Sequence, residues 1–280
     1  MKPKIIGLLN AWYSERWIAP AIEQALQYCD EVIVAVGAHS KSLASLKDDT
    51  LKIASQYKDR VTLLDASMSN FHDKSKADTL NRMLSKSKFR QKGNWIWILD
   101  VDEFYFDCTY QDILRAISSG KYNHIRVEEK FFFINMTRYL LCSHGRLFRI
   151  VDPSSSFQPT QRWTGPMSDL YVVKRDDKEH GMFHYSLLVD IEYRRKMWST
   201  ERSYQQPHLL KWLEEIYVHY DLNDEETWID KNKKVSGIRS PYVGPLSKPN
   251  ADGKLFVYNG KHPPLIEATS LPQIEDFRKE

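Results

Sequence analysis

The stretch Trp95-Ile96-Trp97-Ile98-Leu99-Asp100-Val101-Asp102-Glu103-Phe104 decides the fold, because a run of apolar residues leads directly into three carboxylates. An unbroken apolar run suits a β-strand covered on both faces, as in the parallel sheets of α/β domains. Ligands of open α/β folds collect where such strands leave the core. Closely spaced carboxylates repel one another unless a cation lies among them. The stretch therefore predicts either a divalent-metal site that holds a diphosphate, or acids that merely follow a buried strand into water.

Upstream of this stretch, strand and helix patterns alternate. A helix is expected to begin near Pro20, since proline suits a first helical position. The alternation predicts an α/β fold with a doubly wound, mostly parallel sheet and helices on both faces. Asn10-Ala11-Trp12-Tyr13 follows the first strand in place of a glycine-rich fingerprint, which argues against a dinucleotide-binding domain and a P-loop. The predicted strands are Lys4–Leu9, Glu31–Val36, Val61–Leu64 and Trp95–Leu99, and two further helices are predicted across 43–57 and 74–87.

Downstream, the pattern changes to a partly antiparallel second half. After a helix at Tyr110–Ser118, a helix or two is expected from Thr200, and a proline-rich tail from Ser240 predicts an irregular extension. We expect residues 1–200 to form one domain and residues 201–280 to pack on it as a helical, then irregular, extension. The short strands of the second half are predicted at Asn123–Val127, Lys130–Ile134, Arg146–Ile150 and Leu170–Val173.

Composition excludes few classes of protein. The 280 residues carry a net charge of +3 with dispersed basic residues, so no nucleic-acid partner is expected. The three cysteines are far apart and predict neither a disulfide framework nor a metal knuckle. No signal peptide and no apolar run of membrane-spanning length is evident, and we expect a cytoplasmic protein.

The first two strands, the lysine-bearing helix and the acidic turn together resemble the GT-A glycosyltransferases, and the likeness is closest to bacterial and phage members of the family 2 type. It covers roughly residues 4 to 200. Its most specific part is Gly93–Phe104, which is similar to that group's "gdWil-lDaDEF" segment. The helix that carries Lys74, Lys76 and Asn81 resembles the "K…N" helix of these enzymes, and Asn10 begins a segment similar to their "N-E" opening.

The resemblance implies a nucleotide-sugar donor across the carboxyl edge of the sheet, close to Asn10, Lys74, Lys76 and Asn81. Asp100 would face the ribose or uracil. Asp102 would coordinate Mn²⁺ or Mg²⁺ together with the diphosphate, because a hard cation neutralises the charge of this leaving group. Many GT-A enzymes place a histidine where His184 stands, as a further metal ligand. The alternative for His184 is a hydrogen-bonded core residue.

Two departures from the family pattern leave alternatives open. The acidic residue expected after the second strand is missing, because Gly37-Ala38-His39-Ser40 stands there. His39 or Ser40 would then bind the base, or the pocket would accept a different nucleotide, or Asp65 after the third strand would supply the acid. The "E-D" pair of the second half is also absent. Asp169 is the candidate general base for an acceptor hydroxyl, with a turn-capping aspartate as the alternative.

The predicted function is a metal-dependent transfer of a sugar from a nucleotide diphosphate sugar to a hydroxyl of a glycan or surface-polymer precursor. Inversion at the anomeric carbon is the family's default. A nucleotidyltransferase is the first rival, although it usually has a glycine-rich basic loop after the first strand. A relative that only binds glycan is the second rival.

Overall fold

The computed structural model describes residues 2–38, 44, 46–66, 76–158, 162–176, 178–186, 188, 191–192, 194–195, 208–221, 255–271 and 276–277. The helices are α1 (Glu15–Tyr28), α2 (Thr50–Ser55), α3 (Lys76–Ser85), α4 (Asp107–Ser118), α5 (His208–Trp212) and α6 (Pro264–Glu267). A π-helical turn (Leu213–Tyr217) continues α5. The strands are β1 (Ile5–Ala11), β2 (Glu31–Val36), β3 (Thr62–Asp65), β4 (Trp95–Asp100), β5 (Glu103–Tyr105), β6 (His124–Phe133), β7 (Asn135–Arg149), β8 (Leu170–Val173), β9 (Met182–His184) and β10 (Phe256–Val257).

The strands form one mixed sheet in the order β3-β2-β1-β4-β7-β6-β9-β5, with β8 also paired to β6 and β10 to β7. The first four strands of this order are parallel, whereas β7 is antiparallel to both β4 and β6. The prediction of an α/β fold with a mostly parallel sheet is confirmed. The second half is only partly antiparallel, since β6 pairs in parallel with β8 and β9. The order reverses between β1 and β4, where doubly wound sheets leave a crevice at their carboxyl ends.

Both faces of the parallel half are covered, as the apolar run of β4 predicts. Trp95, Trp97 and Leu99 pack on the side of α1, whereas Ile96 and Ile98 pack on the side of α3. Alternate residues of a strand point to opposite faces, so a strand buried on both sides needs apolar residues at every position. This explains why the five residues before Asp100 show no polar alternation.

Helix α1 begins at Glu15, five residues before the predicted start at Pro20. Trp17 and Ile18 in its first turns are buried in the core, and this packing outweighs the backbone hydrogen bond that proline cannot donate. The buried Gln24 of α1 binds the edge strand β5 through both ends of its amide. Its Nε2 donates to Glu103 O at 2.9 Å, and its Oε1 accepts from Tyr105 N at 2.7 Å.

The second half is more continuous than predicted. The two strands expected between 123 and 134 are one strand, β6, and its partner β7 is fifteen residues long. The strands β5 and β9 were not expected, since three-residue strands carry too little periodicity to be recognised. A β-bulge interrupts the pairing of β6 with β7, and Arg146 is its extra residue, between Gly145 and Leu147.

The described parts of the C-terminal extension pack on this second half. Trp212, Leu213 and Tyr217 join Phe131 and Leu140 in one buried cluster, and β10 pairs with β7. Because these side chains share one core, the extension is in contact with the strands on which the site is built. Among the described residues, no helix combines the length and the apolar character that crossing a bilayer requires.

Candidate active site

The carboxyl ends of β1 and β4 meet at the switch point of the sheet. Asn10 and Asp100 are register partners there, so the structure brings together two of the predicted donor-binding residues. Asp102 follows in the turn between β4 and β5, and its backbone carbonyl accepts a hydrogen bond from Tyr185 N at 2.8 Å. This bond ties the acidic turn to the residue that follows β9.

Asp100 is held by two cations. Its Oδ1 accepts a hydrogen bond from the Nζ of Lys76, at the first position of α3, and its Oδ2 lies 3.3 Å from Arg146. Burial raises the pKa of Asp100, but Lys76 and Arg146 outweigh this effect and hold it well below its usual value. The carboxyl group is therefore ionised, and much of its charge is already neutralised before any ligand binds.

Glu103 shares Arg146 with Asp100 and is fully buried. Its Oε1 binds Arg146, whereas its Oε2 has no hydrogen-bond partner among the residues that the structure describes. A buried carboxylate oxygen without a partner is costly, and such atoms occur where a ligand or ion completes the site. Arg146 was missed by the sequence analysis, because a bulge re-aims this side chain and strand periodicity does not predict bulges.

His184, on β9, stands beside Asp102, as the resemblance implied. Its Nε2 is 3.8 Å from Asp102 Oδ1 and 3.9 Å from Glu103 Oε1. Two ligands that are each about 2.1 Å from one cation lie at most about 4.2 Å apart, so the first distance fits a shared Mn²⁺ or Mg²⁺. A carboxylate beside a neutral imidazole also suits Mn²⁺ chemically.

A second layer lies behind His184. Its Nδ1 is 3.1 Å from Glu129 Oε2, and the other oxygen of Glu129 is 2.7 Å from His144 Nδ1. The ligand atoms of these three residues lie within 4.8 Å of one another. Burial raises the pKa of Glu129, but both imidazoles outweigh it and hold the pKa below its usual value. Burial lowers the pKa of His144, but the Glu129 carboxylate dominates and raises it to about 11.

Glu129 and His144 were not predicted from the sequence, although polar residues at alternate strand positions form a detectable pattern. Glu129 pairs with Cys142 across β6 and β7, and His144 follows two residues later, so these residues share one face of the sheet. Polar residues at every second position of a strand that faces a core indicate a buried polar site. Only the register of β6 with β7 and β9 reveals that His184 joins them.

Two of the remaining predicted residues, Asn81 and Asp65, do not join the site among the residues that the structure describes. Asn81 uses its amide to bind the backbone of Phe157, donating to its carbonyl and accepting from its N–H at 2.8 Å each. In this structure the side chain of Asn81 thus holds a loop, and its contact with the donor stays a prediction. Asp65 is exposed at the end of β3, three strands from β4 and thus about 14 Å away. His39 and Lys74 lie outside the described residues.

Asp169 lies at the opposite end of the strands from Asp100 and Asp102. This position departs from its predicted role as general base. Its backbone carbonyl accepts from Asn123 N at 3.0 Å, and its Oδ2 accepts from Asn123 Nδ2 at 3.0 Å. Asn123 is bonded to Arg149, the register partner of Trp95 at the start of β4. About 16 Å of strand separates that point from Asp100. Asp169 therefore fits the alternative interpretation, a residue that stabilises a turn.

The comparisons with known proteins identify no family. No family model matches the chain, and no curated protein matches it. The similar solved structures include S. aureus TarS, with 12% identity over 74% of this chain and 42% of that chain and a TM-score of 0.43. A 4-diphosphocytidyl-2C-methyl-D-erythritol synthase has 11% identity over 76% of this chain and 86% of that one (TM-score 0.32). Mannose-6-phosphate isomerase from Helicobacter pylori has 13% identity over 48% and 54% (TM-score 0.30).

The chain thus spans less than half of the TarS structure and about half of the isomerase structure. At these identities and TM-scores, none of the three likenesses carries a functional argument for this chain. The features that bear on function are the Asp100–Phe104 motif and the geometry around Asp102 and His184.

Proposed function

We propose that this chain is a metal-dependent glycosyltransferase that takes a sugar from a nucleotide diphosphate sugar and transfers it to a hydroxyl of a glycan or polymer precursor. The observation that carries the proposal is the distance of 3.8 Å between Asp102 Oδ1 and His184 Nε2, at the switch point of the sheet. The motif that contains Asp102 resembles the metal-binding motif of the GT-A family, and the register of β9 brings a histidine to it.

Asp102 and His184 would hold Mn²⁺ or Mg²⁺. The bound cation supplies a Lewis acid that neutralises the diphosphate leaving group. Asn10 and Asp100 are register partners at the carboxyl ends of β1 and β4, where the donor would bind. Asp100 keeps the ammonium group of Lys76 at this edge, where it adds positive charge for a phosphate.

Asp100 and Glu103 also share Arg146, which is largely buried. This arrangement fixes the acidic turn, and Arg146 also attracts the carboxylate of Asp102 electrostatically. Among the ion pairs of the described residues, Asp102 is paired with His184 alone, and we therefore propose its carboxylate as the one that binds the cation. We assign no general base, since Asp169 is at the opposite end of the strands.

The test of this function is a thermal-shift experiment with UDP, GDP and CDP, each with and without Mn²⁺. A ligand that binds only the native state raises its stability, so we expect a shift that requires both nucleotide and metal. A screen of nucleotide sugars for slow donor hydrolysis then identifies the donor. Release of pyrophosphate from a nucleoside triphosphate and a sugar phosphate would instead establish the nucleotidyltransferase, and metal-independent glycan binding alone would establish a non-catalytic relative.

A further inference from the structure

Glu129, His144 and His184 lie on three adjacent strands and share one face of the sheet. Glu129 is paired with Cys142 on β7 and with Met182 on β9. His144 is two residues after Cys142, and His184 is two residues after Met182. Glu129 is fully buried, His184 is nearly so, and His144 is partly exposed. A buried carboxylate thus lies directly behind the histidine that faces Asp102.

Each oxygen of Glu129 binds one imidazole through Nδ1. Oε1 is 2.7 Å from His144 Nδ1, and Oε2 is 3.1 Å from His184 Nδ1. A carboxylate can only accept, so the ring nitrogen of each histidine must donate its proton here. A neutral imidazole has a single N–H, so the neutral form of His184 that donates from Nδ1 presents the lone pair of Nε2 toward Asp102.

We propose that Glu129 is a positioning residue, which fixes the tautomer and orientation of His184 so that Nε2 binds the same cation as Asp102. This inference rests on the proposed function. Histidines that bind metals commonly donate their other N–H to a carboxylate, and loss of that partner weakens the metal site. Without Glu129, the ring of His184 has no fixed acceptor for Nδ1–H, and the tautomer protonated at Nε2 cannot bind a cation on the side of Asp102.

The rival arrangement uses the same three residues as metal ligands, with the ion between the Nδ1 atoms and Glu129. The contacts of Glu129 do not require an ion. Its two oxygens are 2.7 Å and 3.1 Å from the Nδ1 atoms of His144 and His184, and two N–H···O hydrogen bonds account for both distances. In the rival arrangement, the Nε2 of His184 would also carry the proton, and Asp102 would accept a hydrogen bond instead of binding the ion. The two arrangements therefore assign the proton of His184 to different nitrogens.

The first experiment is ¹⁵N NMR of the imidazole nitrogens in the metal-free wild-type chain, which needs no substitution. We expect His184 to be protonated at Nδ1, and Glu129→Gln to shift the population toward Nε2–H. Protonation of His184 at Nε2 in the wild-type chain would overturn the inference. Because the measurement reports the tautomer directly, a loss of stability in the variant does not imitate it.

The second experiment measures Mn²⁺ binding by the EPR signal of the free ion, with Mn²⁺ as the only ligand. We expect Asp102→Asn and His184→Ala to abolish binding, and Glu129→Gln to weaken it about 10- to 100-fold. His144→Asn is the matched control, because the asparagine amide nitrogen replaces Nδ1 as a donor to Glu129. We expect it to retain an affinity within about threefold of the wild type, since the hydrogen bond of His144 is to Glu129 and, in the proposed arrangement, His144 does not bind the ion.

The outcomes separate the two proposals. If the wild-type chain does not bind Mn²⁺, the proposed function is contradicted. If it binds Mn²⁺ and Glu129→Gln binds equally well, only the positioning role fails. If His144→Asn and Glu129→Gln abolish binding while Asp102→Asn preserves it, the three residues are themselves the ligands, and the inference is overturned.

Discussion

The guanidinium of Arg146 lies 3.3 Å from Asp100 Oδ2 and also binds Glu103, so a single cation serves two carboxylates of the acidic turn. Removing one partner of a buried ion pair leaves an uncompensated charge. We therefore expect Arg146→Met to lower the free energy of unfolding by about 3–5 kcal/mol. Urea denaturation measures this change. Arg146→Lys, which keeps the charge, should lose less, and equal losses in the two variants would contradict the electrostatic explanation.

Asp102→Asn should remove the metal-dependent part of nucleotide stabilisation while it preserves the fold. The side chain of Asp102 is 3.8 Å from His184, whereas its structural hydrogen bond uses the backbone carbonyl, which the substitution retains. Thermal shift with nucleotide, with and without Mn²⁺, provides the measurement. A variant that still responds to Mn²⁺ as the wild type does would remove Asp102 from the site.

Asp169→Asn is expected to leave metal and nucleotide binding unchanged. Its Oδ2 accepts from Asn123 Nδ2, so an asparagine nitrogen at that atom would cost about 1 kcal/mol of stability. Chemical denaturation and the same thermal-shift assay test both parts. Loss of donor hydrolysis without loss of stability would return Asp169 to the catalytic site.

Lys76→Met should weaken the binding of a nucleoside diphosphate about tenfold, because the chain loses a cation at the carboxyl edge of the sheet. Asp100 keeps Arg146 as a partner, and the fold should therefore persist. Lys86→Met is the matched control, since Lys86 is exposed just beyond the other end of α3. Calorimetric titration with UDP and Mn²⁺ should separate the two variants, and equal affinities would contradict the role of Lys76.

Stability should fall as the pH decreases from about 6.5 to about 4. Burial lowers the pKa of His262 to about 4, and the neutral ring accepts a hydrogen bond from Tyr185 OH at 2.7 Å. Between these pH values, His262 binds a proton in the unfolded chain but not in the folded chain, so the free energy of unfolding rises with pH. His144 acts in another window and with the opposite sign, because its raised pKa contributes stability that is lost as the pH rises toward 11.

Denaturation at a series of pH values measures how the free energy of unfolding changes at acid pH, the acid limb of the stability curve. His262→Gln should make this free energy depend less on pH between pH 4 and 6.5, since the substituted side chain does not titrate. Burial also lowers the pKa of His124 to about 4. His124→Gln therefore measures how much of the pH dependence of stability comes from His124 and not from His262. An unchanged limb in His262→Gln would contradict the assignment.

The sequence predicted the parallel half well, because strands covered on both faces leave long apolar runs such as the one before Asp100. It also predicted that Asp102 and His184 belong together, although only through a family resemblance. It could not predict Arg146, whose direction depends on a bulge, nor Glu129, whose partners depend on strand register. Asp169 and Asn81 illustrate the reverse difficulty. Each has a polar side chain in a suggestive sequence context, but folding uses it to bind nearby backbone or a neighbouring amide.

Gln24 has a consequence for the assembly of the protein. Strand β5 is the last in the sheet order, and the amide of Gln24 occupies the carbonyl of Glu103 and the N–H of Tyr105. An incoming strand would need groups of this kind to extend the sheet. A side chain of α1 therefore occupies two of the backbone groups through which another chain would add a strand at this border of the sheet.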